Sequence, residues 1–283
     1  MRRRFHQVDV FGAGPFSGNP LAVVLDGEGL TTEQMQSLAR WTNLSETTFI
    51  LPSTTADADY RVRIFTLARE LPFAGHPTLG SCHAWLSGSD VRRDQDVFIQ
   101  ECEAGLVNVR RNGGRLAFAA PPLLRYGPVS DALVDTLAVV VGLEREQIVD
   151  THWIDNGPGR VGLLLWDAET VLQVEPDFGR YTGGGSLDIG LVGPYPQGSE
   201  CAFELRALFS DDQGKMREDP VTGSLNASVA QWLFATERVG GPYVASQGTR
   251  LGRKGRAHIT RDSDGTIWVG GQIVSYITGE LDI

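Results

Sequence analysis

A seven-residue frame occurs twice in this chain, and a chain built that way folds as two related halves. Glu70-Leu71-Pro72-Phe73-Ala74-Gly75-His76 reads E-x-P-x-x-G-polar, and Glu218-Asp219-Pro220-Val221-Thr222-Gly223-Ser224 repeats it 148 residues on (218 − 70). Each copy follows an apolar, strand-like run ending in Phe and a hydroxyl residue, Phe65-Thr66 and Phe209-Ser210. Each then enters an apolar helical stretch, to Trp85-Leu86 and to Trp232-Leu233-Phe234. The repeated unit is therefore a strand, a Pro/Gly turn and a helix opening. A Gly at a helix start presents backbone N–H groups that bind carboxylate or phosphate. Two such starts predict one ligand held between two helix N-termini.

The bulk numbers narrow the function. A net charge of −10 excludes nucleic acid as the main partner, and the one basic run, Arg2-Arg3-Arg4, is three residues long. No apolar stretch is long enough to span a membrane, and none follows the terminal arginines as a signal peptide requires. The three cysteines, Cys82, Cys102 and Cys201, are odd in number and lack metal-ligand spacing, which fits a reducing, cytoplasmic setting. No G-x-G-x-x-G or G-x-x-x-x-G-K-[ST] stands in a nucleotide-binding frame.

Periodicity predicts short strands over 4–11, 21–25, 47–51 and 60–65, with helices opening near Thr31 and over 78–86. Strands at 97–100, 106–110 and 116–119 follow, and Pro121-Pro122 interrupts the pattern. The second half opens on a helix over 130–141. Strands at 161–166 and 199–209, a helix over 225–234, and strands at 243–247, 257–261 and 266–274 complete it. Many short strands with one apolar helix per half read as an α+β fold. The halves divide as 1–122 plus about 265–283, and 123–264.

Three polar residues could carry chemistry. Glu46 lies between a helix end and a β-branched strand. Burial beside Leu44 and Phe49 would raise its pKa and make it a general base or acid, whereas exposure would leave it a loop carboxylate. His76, between Gly75 and Pro77 at a helix start, is either an ordinary helix-opening residue or a neutral donor of the kind helix N-termini favour. Asp219 precedes Pro220, which holds it extended; it is either a turn Asp or a partner acid. Thr222 and Ser224 are good N-cap types.

Taken together, these segments resemble the PhzF (phenazine biosynthesis) family. The resemblance is carried by Phe5-x-x-Val8-Asp9-Val10-Phe11, Phe16-Ser17-Gly18-Asn19-Pro20-Leu21-Ala22-Val23-Val24, Asn43-Leu44-Ser45-Glu46-Thr47-Thr48-Phe49, Arg63-Ile64-Phe65-Thr66 with the run from Glu70 to Gly80, and the frame from Glu218 to Ser224. It implies a diaminopimelate epimerase-like fold: two pseudo-symmetric halves, each a mostly antiparallel sheet rolled around a central helix. It implies a cofactor-independent isomerase that moves a proton between carbons of a small carboxylated, cyclic substrate, as PhzF does with a dihydro-hydroxyanthranilate. Glu46, His76 and Asp219 are its implied catalytic residues, and Gly75, Gly223, Ser224 and Asn19 its implied substrate-binding set, with no metal or cofactor. It also implies a homodimer. Ala74 and Thr222 stand where the epimerase branch carries cysteines, which excludes two-thiol racemisation. The chain departs from the family at Leu67, where Pro is usual, and at Gly252-Arg253-Lys254-Gly255. The rival readings are an epimerase or isomerase of an amino-acid derivative on the same fold, and a non-catalytic small-molecule-binding protein.

Overall fold

The computed structural model describes residues 1–88, 95–181, 183–211 and 214–283. The chain forms two compact units, Met1–Ala119 with Val269–Ile283, and Ala120–Trp268. The first unit contains β1 (Arg2–Val10), β2 (Asn19–Val24), α1 (Thr32–Thr42), β3 (Glu46–Leu51), β4 (Tyr60–Thr66), β5 (Glu70–Leu71), α2 (Gly75–Gly88), β6 (Val97–Cys102), β7 (Gly105–Asn112) and β8 (Arg115–Ala119). The second contains β9 (Arg125–Pro128), α3 (Asp131–Val141), β10 (Ile148–Asp155), β11 (Val161–Leu165), α4 (Ala168–Gln173), β12 (Asp188–Pro194), β13 (Phe203–Ser210), β14 (Met216–Asp219), α5 (Gly223–Ala235), β15 (Tyr243–Gln247) and β16 (Gly255–Arg261). β17 (Ile267–Gly271) leads back to the first unit, where β18 (Ile273–Asp282) pairs antiparallel with β1.

The internal pairing of the two units is the same. In the first, β1–β2 is antiparallel, β2–β3 parallel, and β3–β4 and β4–β5 antiparallel, and the chain then enters α2. In the second, β10–β11 is antiparallel, β11–β12 parallel, and β12–β13 and β13–β14 antiparallel, and the chain then enters α5. The strand after each helix returns parallel, β6 on β4 and β15 on β13. Each parallel step needs a crossover, and α1 and α4 supply it. The fold is α+β, two pseudo-symmetric halves with mostly antiparallel strands.

Both central helices are buried nearly all round, which is why neither is amphipathic. Small residues let the sheet come close. A Cβ on Gly80 would meet Leu21 Cδ2 at 2.6 Å and Val8 Cγ2 at 2.9 Å, so only Gly fits where α2 crosses β1 and β2. Two polar groups on the buried face of α2 are paired: Ser81 donates to Thr48 Oγ1 at 2.9 Å, and Thr78 Oγ1 accepts from Gln100 at 3.0 Å.

The glutamate of each repeated frame holds the turn. Arg63 donates through Nε and Nη2 to the two oxygens of Glu70 at 2.7 and 2.6 Å. Arg206 does the same to Glu218 at 3.1 and 2.9 Å. These forks tie each two-strand hairpin together just before its helix begins.

Not expected from the sequence were β5, β9, β10, α4, β12 and β14, and the single strand expected over 266–274 is divided between β17 and β18. β12 carries the glycines Gly190 and Gly193 within an otherwise apolar run, which mask a strand pattern. Its Cβ-free positions are required: a Cβ at Gly190 would press on Leu225 of α5. The expected strand over 199–209 starts later, at Phe203. Among the described residues no helix is long and apolar enough to cross a membrane.

Candidate active site

In the first unit the fold brings three of the expected residues into contact. α1 ends on Asn43 in the left-handed conformation, φ 55°, a turn that Asn tolerates. Three residues later Glu46 opens β3, opposite Thr66 of β4. His76 lies in the first turn of α2, and its Nε2 stands 3.3 Å from Glu46 Oε2, with the two side chains 4% and 16% exposed. The pair is close but not aligned as a hydrogen bond.

Asn19, at the start of β2, is fully buried and holds the other side of the ring, its Nδ2 lying 3.3 Å from His76 Nδ1. A donor at Nδ1 requires that nitrogen to accept, so the neutral ring carries its proton on Nε2, toward Glu46. Burial pushes the His76 pKa down to about 3, so the ring is uncharged at any physiological pH. The loop before Asn19 is tightly held: Gly18 N–H donates to the buried Asp9 carboxylate at 2.8 Å, and a Cβ on Gly18 would strike the Val10 carbonyl. Phe11 and Phe16, at φ 67° and 56°, are non-glycine residues in the left-handed region on this loop. Such backbone costs about 1–3 kcal/mol per residue and concentrates at functional sites.

In the second unit Asp219 ends β14, and its Oδ2 accepts from Thr222 Oγ1 at 2.5 Å. Thr222 is the N-cap of α5, yet its hydroxyl is spent on Asp219 and makes no cap bond. Gln247, which sequence reasoning missed, does the holding instead. Its Oε1 accepts from Thr222 N–H at 3.0 Å and from Asn226 Nδ2 at 3.0 Å, and its Nε2 donates to the Asp219 carbonyl at 3.1 Å. Ser224 follows Gly223 in the first turn of α5; Asn156 Nδ2 donates to its carbonyl at 2.8 Å and Arg160 Nη1 to its Oγ at 3.3 Å. Asn156 and Arg160 were also missed, because each lies more than 60 residues from its partner and only the β10–β11 turn brings them to α5.

All three cysteines are buried, and burial raises their pKa values, that of Cys82 to about 12. None stands at a helix start. Among the described residues no three His, Cys, Asp or Glu side chains converge as a metal site.

In the first unit a half-buried carboxylate thus faces an uncharged imidazole, on a duplicated α+β fold. Residues 8–279 match the PhzC-PhzF family, described as phenazine biosynthesis-like protein, and the chain belongs to that family. It is 47% identical over 271 residues to the trans-2,3-dihydro-3-hydroxyanthranilate isomerase of Pseudomonas aeruginosa, covering 93% of this chain and 91% of that one. The crystal structure of a PhzF-family phenazine biosynthesis protein from Enterococcus faecalis superposes with a TM-score of 0.79 at 23% identity, covering both chains fully. A hydroxyproline epimerase from Agrobacterium vitis shares the fold at a TM-score of 0.58 and 12% identity, covering 99% of this chain and 91% of that one.

The depressed pKa of His76 has a thermodynamic consequence. Between about 3 and 6.5 the unfolded chain binds a proton at this residue and the folded chain does not. Stability therefore falls as pH drops below 6.5, by up to about 1.4 kcal/mol per pH unit, and is level above it. Urea titrations at pH 6.5 and pH 5 should show the wild type losing about 2 kcal/mol more than His76→Gln, which has no such proton to gain. Equal losses in the two proteins would contradict the buried neutral ring.

Proposed function

We propose that this isomerase acts on trans-2,3-dihydro-3-hydroxyanthranilate or a close cyclic carboxylate, and that Glu46 moves the proton. The observation that carries the reading is the Glu46–His76 contact, with Asn19 behind the ring. The carboxylate takes a proton from one ring carbon, and the electron pair shifts through the conjugated system. The same carboxyl then delivers a proton to a second carbon, so atoms and charge balance without a redox step. His76, held as the Nε2–H tautomer, donates to the site without becoming a competing base. Gly75 supplies a backbone group at the α2 start. In the second unit Asp219 is the assisting acid, and Gly223 and Ser224 bind substrate oxygens. The similarity to the Pseudomonas aeruginosa isomerase supports the substrate class. The cysteines, buried and away from the helix starts, have no part in it.

The reading includes a homodimer in a reducing cytoplasm, supported by three buried unpaired thiols and by the family resemblance. Light scattering should give twice the chain mass of 30.8 kDa, and a monomer mass at micromolar concentration contradicts the dimer.

Glu46→Gln keeps the shape but removes the base. Turnover of trans-2,3-dihydro-3-hydroxyanthranilate, followed by NMR in deuterated water, should fall about 10²–10⁴-fold while binding persists. The wild type should place deuterium on the newly protonated carbon. Turnover of the variant within a few-fold of wild type would remove Glu46 from the chemistry and favour a binding protein or a His76-centred reaction.

A further inference from the structure

The duplication allows each active-site position to be matched with its counterpart in the other unit. Glu70 sits opposite Phe65 in the first hairpin, and Glu218 opposite Leu208 in the second. One residue further along, Thr66 faces Glu46 and Phe209 faces Asp188. Glu46 opens β3 and Asp188 opens β12, so they are the same position in the two halves. His76 and Ser224 are likewise equivalent, each one residue past the frame glycine. The first unit thus pairs an acid with a helix-start histidine, and the second pairs an acid with a helix-start serine.

The second acid is not left open. Arg160 precedes β11, and the parallel register of Val161 with Ile189 sets it beside Asp188. Its Nε and Nη2 donate to the two Asp188 oxygens at 2.5 and 3.2 Å, with both side chains buried. Its remaining nitrogen, Nη1, donates to Ser224 Oγ at 3.3 Å. A carboxylate held at both oxygens by a guanidinium is turned toward that cation rather than toward a substrate. A hydroxyl that accepts from a cation has its own proton left to give.

We infer that Arg160 is the positioning residue that turns the second unit's acid and helix start from a proton-transfer pair into an oxygen-binding one. It locks Asp188 out of proton transfer and sets Ser224 Oγ–H as a donor to a substrate carboxylate. The enzyme then has one proton-transferring half, built on Glu46, and one anion-holding half. This deepens the reading of the protein as an isomerase of a cyclic carboxylate and rests on it.

The test is calorimetric binding of 3-hydroxyanthranilate, a stable aromatic carboxylate, to four full-length proteins. Arg160→Gln and Ser224→Ala should each weaken binding about tenfold, the scale of one charge-assisted hydrogen bond. The double variant should be no weaker than the weaker single, because both changes remove one interaction. Asp188→Asn should bind as tightly as wild type or tighter, since it leaves the Arg160 charge uncompensated beside the helix start. A purely structural ion pair predicts the opposite pattern, with Arg160→Gln and Asp188→Asn weakened alike, and that result overturns the inference. So does wild-type affinity in Arg160→Gln or in Ser224→Ala. If neither charge variant folds, Arg160→Lys, which keeps the charge but loses the fork, decides: wild-type affinity overturns the inference and tenfold loss upholds it. Wild-type binding of 3-hydroxyanthranilate without turnover of the dihydro substrate contradicts the proposed reaction and leaves this inference standing. A wild type that binds no anthranilate overturns both.

Discussion

The arrangement of polar groups in the first unit depends on keeping one imidazole uncharged inside the protein. His76 is 3% exposed, and a charge there would have to be desolvated. Once the ring is neutral, a single hydrogen bond settles which nitrogen carries the proton. Asn19 takes Nδ1, so Nε2–H faces Glu46 at 3.3 Å. The rest of the unit serves that arrangement. The Arg63–Glu70 fork sets the hairpin that launches α2, Gly80 lets α2 lie close on β1 and β2, and the Asp9–Gly18 contact fixes the loop leading to Asn19.

The second unit shows the same scaffold with different polar partners. The fork is kept as Arg206–Glu218 and is more deeply buried, at 3% and 7% exposed against 25% and 26% for Arg63–Glu70. The helix start is kept as Gly223-Ser224. Around them the polar partners change: Gln247 replaces side-chain capping of α5, and Arg160 occupies the acid that corresponds to Glu46. One backbone plan thus carries two unlike sets of buried polar side chains.

The duplication, the helix starts at Gly75 and Gly223, and the placement of Glu46 at the mouth of a strand were legible in the sequence. Pro, Gly and periodic apolar residues signal backbone geometry over a few positions, and these features are local. Asn19 was named by resemblance as a candidate site residue, but its contact with the His76 ring was not legible, because it depends on how β2 and α2 pack. Asp188, Arg160 and Gln247 gave no signal. An Asp before an apolar run, an Arg after Gly and a Gln at a strand end are ordinary residues until the register sets them against a helix start. β12 was hidden for a related reason. Its glycines answer to Leu225 and to the α4 N-cap region on the neighbouring elements, so its composition reports packing rather than strand propensity.

The protonation state of His76 is the most direct point of attack. Long-range ¹H–¹⁵N correlation spectra of the ¹⁵N-histidine-labelled protein, assigned with His76→Gln, report the tautomer of each ring. His76 should be neutral with its proton on Nε2, unchanged between pH 5 and pH 8, and should become a mixture of tautomers once Asn19 is replaced by Leu. A ring that protonates with a midpoint near 6.5, or one that carries its proton on Nδ1, would contradict that state.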